Sequence, residues 1–507
     1  MREPSVRAAT TGAGAVSICV YGRQTVSSFI DPVSASPEKR GVYDNRARLL
    51  PYTRAMQSIN CFKAYDVRGR VPEDLNEDIA YRIGRAYAEF IRPRTVAVGR
   101  DVRLTSDSLT SELVRGLTES GVDVLDIGVG GTEMVYFATF NYGLDGGIMV
   151  TASHNPPNYN GMKMVREESR PISEATGLKD IRAIAESGTF SDPDSPGAVE
   201  ARDIMDDYIA HLLSYIDPKK LKPLKIVVNA GNGCAGPIID RLEPHLPVEF
   251  VKLHHEPDGT FPNGVPNPMI EEKRASTIEL IQSSGADLGI AWDGDFDRCF
   301  FFDELGQFIE GYYIVGLLAQ SFLEKHPGSA IVHDPRLTWN TLDVVDAAGG
   351  RTVESKSGHA FIKQTMREAD AIYGGEMSAH HYFRDFAYAD SGMIPWLLLA
   401  ELMSIHGSSL SDLVSDRVRR FPASGEINRK VDDAGAVQQA IEAAYKAQAI
   451  ETVHIDGVGM EFPDWRFNLR ASNTEPLLRL NVESRGDYEL MQEKTRELLE
   501  RIGGVPG

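Results

Sequence analysis

From about Cys61 onward, apolar and polar positions follow one plan three times over. A short apolar strand leads through a polar or Gly-containing turn to a helical stretch and a second strand, and the copy closes on an apolar run that stops at a loop of unusual polar residues. The first copy reads TVAVGRD, SDSLTSELVRGLTES, VDVLDIG and GIMVTASHNP. The second reads LKIVVNAGNG, a helical stretch around GPIIDRL, VEFVKL and LGIAWDGDFDRC. The third reads AIVHDPR, a helical stretch around WNTLDVVDAAG, RTVESK and AIYGGEMSAHH. Strands alternating with helices predict α/β units with mostly buried sheets, in which ligands gather at loops beyond strand ends. The pattern then changes. HIDGVGMEFPDWRFNLRASNTEPLLRLNVES is extended and alternating, and DYELMQEKTRELLERI reads as an amphipathic helix, so a smaller α+β unit with its own loop, RASNTEP, is expected at the end. Boundaries are placed near Asp206, Gln307 and Phe421, giving units at 59–206, 207–307, 308–420 and 421–507.

A length of 507 residues fits several domains, and no apolar run approaches the ~20 residues that span a bilayer, so an integral membrane protein is not expected. The formal net charge of -20 opposes binding to nucleic acid, and a phosphorylated ligand would need a local basic pocket. Cys19, Cys61, Cys234 and Cys299 show no CxxC spacing, which argues against a disulfide framework or a zinc site and for reduced thiols in the cytoplasm. Residues 1–58 are rich in Arg, Ser, Thr and Ala and lack an amphipathic period; they read as a disordered N-terminal extension, with Met56 as the natural start.

The four loops carry the candidate chemistry. In WDGDFDRC, Asp293, Asp295 and Asp297 alternate at the end of an apolar strand, and carboxylates so crowded favour a hard divalent cation. An EF-hand shares the spacing and even has Glu304 at the twelfth position, but Arg298 stands where its glycine is required and the flanks look like strands. RASNTEP sets Arg470 beside Ser472, Asn473 and Thr474, an inventory able to grip a phosphate dianion. GGEMSAHH offers Glu376 and Ser378 to sugar-like hydroxyls, with His380 and His381 beside them; Arg68, His359 and Lys363 are further candidate charges. In TASHNP, Ser153 adjoins His154. Neighbours on an extended backbone face opposite ways, so a direct Ser153–His154 hydrogen bond of the hydrolase kind is not expected, and G-x-S-x-G is absent. The Gly and Pro around the loop suit a shaped turn that presents one hydroxyl, able to carry a phosphoryl group to the aspartate-bound metal.

TASHNPPNYNGMK, DGDFDR, GGEMSAHH and RASNTEP, in that order, resemble the four signature loops of the α-D-phosphohexomutase superfamily. The resemblance spans the chain from about Cys61, and GEMSAHHYFRDFAYADSGMIPW is closest to the bacterial phosphomannomutase/phosphoglucomutase group. It implies three similar α/β domains with mixed sheets and a smaller α+β C-terminal domain, heart-shaped around a central cleft. It also implies interconversion of mannose 6-phosphate and mannose 1-phosphate through a phosphoserine and a hexose 1,6-bisphosphate intermediate and activator, in support of GDP-mannose and polysaccharide synthesis. A phosphoglucomutase or a phosphosugar hydrolase is the alternative. By the same resemblance Ser153 is the phosphoserine, and it binds Mg²⁺ together with Asp293, Asp295 and Asp297. His154, Lys163, Arg68 and His380 support catalysis, while Arg298, Arg336, His359, Glu376, Ser378, Arg470, Ser472, Asn473 and Thr474 bind substrate. A basic Lys163 would need its pKa lowered by cations such as Arg68, and Arg336 stands where relatives can carry lysine. The implied enzyme is cytoplasmic, acts on small hexose phosphates as a monomer or homodimer, and binds neither nucleic acid nor membrane.

Overall fold

A computed structural model of the chain describes residues 58–471 and 477–507. Ser472, Asn473 and Thr474, and the expected N-terminal extension apart from its last residue, Ser58, lie outside the described residues. Of the four cysteines, Cys61, Cys234 and Cys299 are described, and all three are free and buried.

The strands form four sheets. The first holds β1 (Val67–Arg70), β2 (Thr95–Arg100), β3 (Asp123–Val129), β4 (Gly146–Val150), β5 (Tyr159–Arg166) and β6 (Val199–Ala201), in the order β1-β5-β4-β2-β3-β6. The second holds β7 (Leu224–Asn229), β8 (Val248–Leu253), β9 (Leu288–Trp292), β10 (Cys299–Phe302) and β11 (Phe308–Ile309), in the order β11-β10-β9-β7-β8. β11 lies just past the boundary expected near Gln307. The third holds β12 (Ala330–His333), β13 (Arg351–Glu354), β14 (Tyr373–Gly375), β15 (His381–Phe383) and β16 (Ala389–Asp390), in the order β13-β12-β14-β15-β16.

These three sheets share a plan that their sequences explain. β4 and β9 are buried at every position, and they read GGIMV and LGIAW because a strand covered on both faces needs no alternation. In each sheet one parallel strand then reverses into an antiparallel partner: β4 into β5, β9 into β10, β14 into β15. TASHNP, DGDFDR and EMSAH are those reversals. The sheets are therefore mixed, and each unusual loop occupies the same topological place.

The fourth sheet is antiparallel throughout: β17 (Ile427–Lys430), β18 (Glu451–Val453), β19 (Val458–Glu461), β20 (Trp465–Ala471), β21 (Leu477–Ser484) and β22 (Val505–Pro506). The helix Tyr488–Ile502 is capped by Asp487, whose side chain accepts from Leu490 N, and it buries Met491, Leu498 and Ile502 on one face, as its amphipathic pattern predicts.

One apolar core runs through the first three units, joining Phe137, Tyr208, Trp292, Phe296, Tyr313 and Trp396. The fourth unit has its own core around Tyr445, Phe462, Trp465, Phe467 and Leu498. Within the shared core sits one polar knot. The Glu133 carboxyl is fully buried and accepts from Tyr208 Oη, from Ser391 Oγ at 2.8 Å, and from the backbone N of Gly392 at 2.6 Å and Met393 at 3.3 Å. It thereby ties the first unit to the start of the helix Ile394–His406 in the third.

Replacing Glu133 with Gln sets an amide N–H₂ against groups that are already donors and leaves buried donors unpaired. We expect Glu133→Gln to lose about 2–4 kcal/mol in urea denaturation followed by far-UV circular dichroism.

Candidate active site

β4 stops at Val150, so Ser153 is not on a strand. Its φ of +49° lies in the left-handed region, and its backbone N donates to Thr151 Oγ1 at 2.9 Å. The turn aims Ser153 Oγ at Asp293 Oδ2, 2.7 Å away, and at His154 Nδ1, 2.9 Å away. The Ser153–His154 contact excluded by strand geometry is therefore present, because alternation of faces holds only inside a strand. His154 is still a poor general base. Its Nδ1 also faces Arg298 Nη2, and burial together with that cation pushes its pKa down to about 4.

The metal loop follows β9. Asp293, Asp295 and Asp297 are buried, and one oxygen of each lies within 4.8 Å of the others. Arg298 donates to Asp293 Oδ2 from Nε at 3.0 Å and from Nη2 at 2.6 Å, and against the burial penalty it holds that carboxyl well below the usual range. Burial and the facing Asp295 push Asp297 up to about 6. Lys163, from β5, places Nζ 2.7 Å from Asp295 Oδ2 and 2.5 Å from Asp297 Oδ2. Burial opposes its charge, but the two carboxylates outweigh it and raise the lysine pKa, so the lowering that a basic Lys163 would need is not met here. Thr132 Oγ1 donates to Asp295 Oδ2 at 2.6 Å. The Oδ1 atom of each aspartate is buried and takes no hydrogen bond among the described residues. Three buried carboxylates that converge at the end of one strand, each with an oxygen to spare, fit a divalent cation.

The third loop supplies His380 and Glu376. His380 Nδ1 lies 2.9 Å from Asp390 Oδ2, and the other Asp390 oxygen lies 2.6 Å from Lys363 Nζ, which is fully buried above the Tyr136 ring. Burial lowers the His380 pKa, but Asp297 and Asp390 outweigh it, so the net direction is up. Glu376 accepts from Gly358 N at 2.9 Å and Tyr382 Oη at 2.5 Å. Arg336 is held bidentately by Asp334 and reaches Ser378 Oγ at 3.2 Å. Its Nη1 lies 3.4 Å from Glu426, which also accepts from Arg470 at 2.9 Å, so these arginines of the third and fourth units meet on one carboxylate.

A cleft of about 880 Å³ gathers most of this chemistry, with Arg68, Ser153, His154, Lys163, Asp297, Arg298, His359 and His380 in its wall. Its described wall does not include Arg336, Glu376, Ser378 or Arg470; Arg336 faces Glu376, Ser378 and Glu426, and Glu426 in turn takes Arg470. Arg68 donates to Ala152 O at 3.1 Å, Asn155 Oδ1 at 2.5 Å and Asp66 Oδ2 at 2.5 Å, and so braces the serine loop. Asp66, Thr132, Asp390 and Glu426 were not singled out in the sequence. Each is a single residue in a polar segment, and only its partner from another element gives it meaning. Among the described residues, no helix is long and apolar enough to cross a membrane.

Four family descriptions match in chain order: phosphoglucomutase/phosphomannomutase alpha/beta/alpha domain I over residues 60–192, domain II over 206–306, domain III over 310–421, and the C-terminal domain over 426–500. A protein of Salmonella montevideo named phosphomannomutase is 61% identical over 454 residues, covering 88% of this chain and 100% of that protein. One of Escherichia coli K12 with the same name is 59% identical over 451 residues, covering 88% and 99%. The crystal structure of a phosphoglucomutase/phosphomannomutase family protein from Burkholderia thailandensis superposes with a TM-score of 0.79 at 33% identity, covering 90% of this chain and 99% of that one.

Asp297, Asp390 and Glu376 raise His380, and removing the Asp390 charge removes one of them. In metal-free protein we expect Asp390→Asn to lower the His380 titration midpoint, read from imidazole NMR shifts. In the parent protein, the stability contributed by His380 is present below the ordinary histidine range and fades as pH rises through its raised folded value.

Proposed function

This chain belongs to the phosphoglucomutase/phosphomannomutase family, and from that premise we propose that it interconverts mannose 6-phosphate and mannose 1-phosphate through a phosphoserine at Ser153 and a hexose 1,6-bisphosphate that is both intermediate and activator. The observation that carries the proposal is the placement of Ser153 Oγ, which is 2.7 Å from Asp293 in a buried trio of carboxylates and opens on the cleft. Mannose as the sugar is supported by relatives 59–61% identical that bear the name phosphomannomutase.

Asp293, Asp295, Asp297 and phosphorylated Ser153 would hold Mg²⁺, whose preference for oxygen donors the set satisfies. When bound, that ion offsets charge on the transferring phosphoryl oxygens. Ser153 Oγ gives its phosphoryl group to a sugar hydroxyl and takes the other phosphate back once the bisphosphate has reoriented. Arg298, Lys163 and Arg68 are fixed positive charges around the transfer, the first two held by buried aspartates and Arg68 by the half-buried Asp66, so that positioning carries much of the rate. His380, oriented by Asp390, exchanges the proton of the reacting sugar hydroxyl. His154 is a supporting contact of Ser153. Arg336, His359, Glu376 and Ser378 meet the sugar, and Arg470 with Ser472, Asn473 and Thr474 grips the phosphate that is not reacting.

The domain limits 59–206, 207–307, 308–420 and 421–507 belong to the same proposal, as does a cytoplasmic monomer or homodimer acting on small hexose phosphates. The net charge of -20 supports the exclusion of nucleic acid.

A coupled assay from mannose 1-phosphate with Mg²⁺ and a 1,6-bisphosphate primer tests the proposal. We expect Ser153→Ala to lower turnover at least about 1,000-fold, and chelation by EDTA to abolish turnover until Mg²⁺ is restored. Free phosphate released in step with substrate loss would show hydrolysis and overturn the transfer.

A further inference from the structure

Both backbone groups of Ser153 lead to one buried ion pair outside the metal loop. Arg103, 3% exposed, spends its four Nη hydrogens on the serine loop: Nη2 donates to Ser153 O at 2.8 Å and Asn155 O at 2.6 Å, and Nη1 to Pro156 O at 2.8 Å and Tyr159 O at 3.0 Å. Its Nε lies 3.3 Å from Asp101 Oδ2. Asp101 Oδ2 accepts from Thr151 Oγ1 at 2.8 Å, and Thr151 Oγ1 accepts in turn from Ser153 N at 2.9 Å. The carbonyl of Ser153 thus ends on Arg103 and its amide, through Thr151, on Asp101.

The second unit closes on the same spot. The Phe261 ring lies 5.3 Å from the Arg103 guanidinium, and a Cβ on Gly294, in the metal loop, would fall 2.6 Å from Ser153 O. Only glycine lets the metal loop approach that carbonyl so closely.

We infer that Asp101 and Arg103 are positioning residues for phosphoryl transfer: they hold Ser153 in its left-handed conformation, with Oγ aimed at Asp293. A non-glycine residue at φ +49° persists only when its surroundings over-determine it, and this pair supplies a bond to each side of the residue. A lysine at 103 keeps the charge but cannot form the planar fork that reaches four carbonyls.

This inference rests on the proposed phosphoserine chemistry, and Arg103→Lys tests it by three measurements. These are the phosphate bound at Ser153, by intact mass after incubation with a hexose 1,6-bisphosphate; kcat per phosphorylated enzyme; and KM. A misplacement of about 1 Å at a reacting atom costs about 100-fold. We expect kcat per phosphoserine to fall about 30- to 100-fold and KM to change by less than about 3-fold. A merely structural role lowers the folded or phosphorylated fraction and leaves kcat per phosphoserine at the parent value, which would overturn the inference. If the parent enzyme itself takes up no phosphoryl group at Ser153, it is the proposed function that fails. Should Arg103→Lys not fold, Phe261→Leu decides, since it keeps every loop donor and removes the ring beside the guanidinium: a fall of about 3-fold or more in kcat per phosphoserine supports the inference, and an unchanged value overturns it.

Discussion

Mutual repulsion among Asp293, Asp295 and Asp297 is the constraint on which the rest of the site depends. Unit charges 4.8 Å apart repel by about 3.5 kcal/mol at an effective dielectric of 20, and here all three are buried. The fold offsets this from several directions. Arg298 neutralises Asp293 from within the loop, Lys163 reaches across from β5 to Asp295 and Asp297, and Thr132 donates to Asp295 from the start of a helix. Those partners belong to the first and second units, so the same electrostatics that makes the cluster tolerable also docks the two units. The hydroxyl of Ser153 is drawn into that network at Asp293.

The shared topology explains why so many loops meet. A parallel strand that reverses into an antiparallel neighbour must turn tightly just beyond the sheet edge, and the first three units make that turn at TASHNP, DGDFDR and EMSAH. With one apolar core beneath these units, the turns are fixed relative to one another. The fourth unit differs: it has its own core and meets the third through polar groups, notably Glu426 between Arg336 and Arg470. A carboxylate facing the arginines proposed to bind substrate gives those charges a partner within the protein.

Much of the architecture was legible because it rests on local rules. Fully buried strands read as apolar runs, the last helix reads as one apolar face, and the repeated order of elements predicts the α/β units. The four loops stood out because aspartates at alternate positions, or serines and histidines at strand ends, are costly unless they serve a purpose. The expectation that fails is one that extends a local rule past its range. Alternation of faces was applied to Ser153, three residues beyond the strand, where φ is already positive. A basic Lys163 would need cations beside it, whereas the chain folds it between two carboxylates.

Element order, the three-fold plan and the residue types that carry the chemistry are legible in the chain alone, because they depend on contacts within a few residues or on burial of a whole strand. Which charge faces which is set by the three-dimensional fold. Asp390 orients His380 and Lys363 backs Asp390, and Arg103 spans three carbonyls of a loop fifty residues on and the first carbonyl of β5. A side chain's protonation and direction are set by the partners that surround it, and in this fold those partners arrive from distant segments.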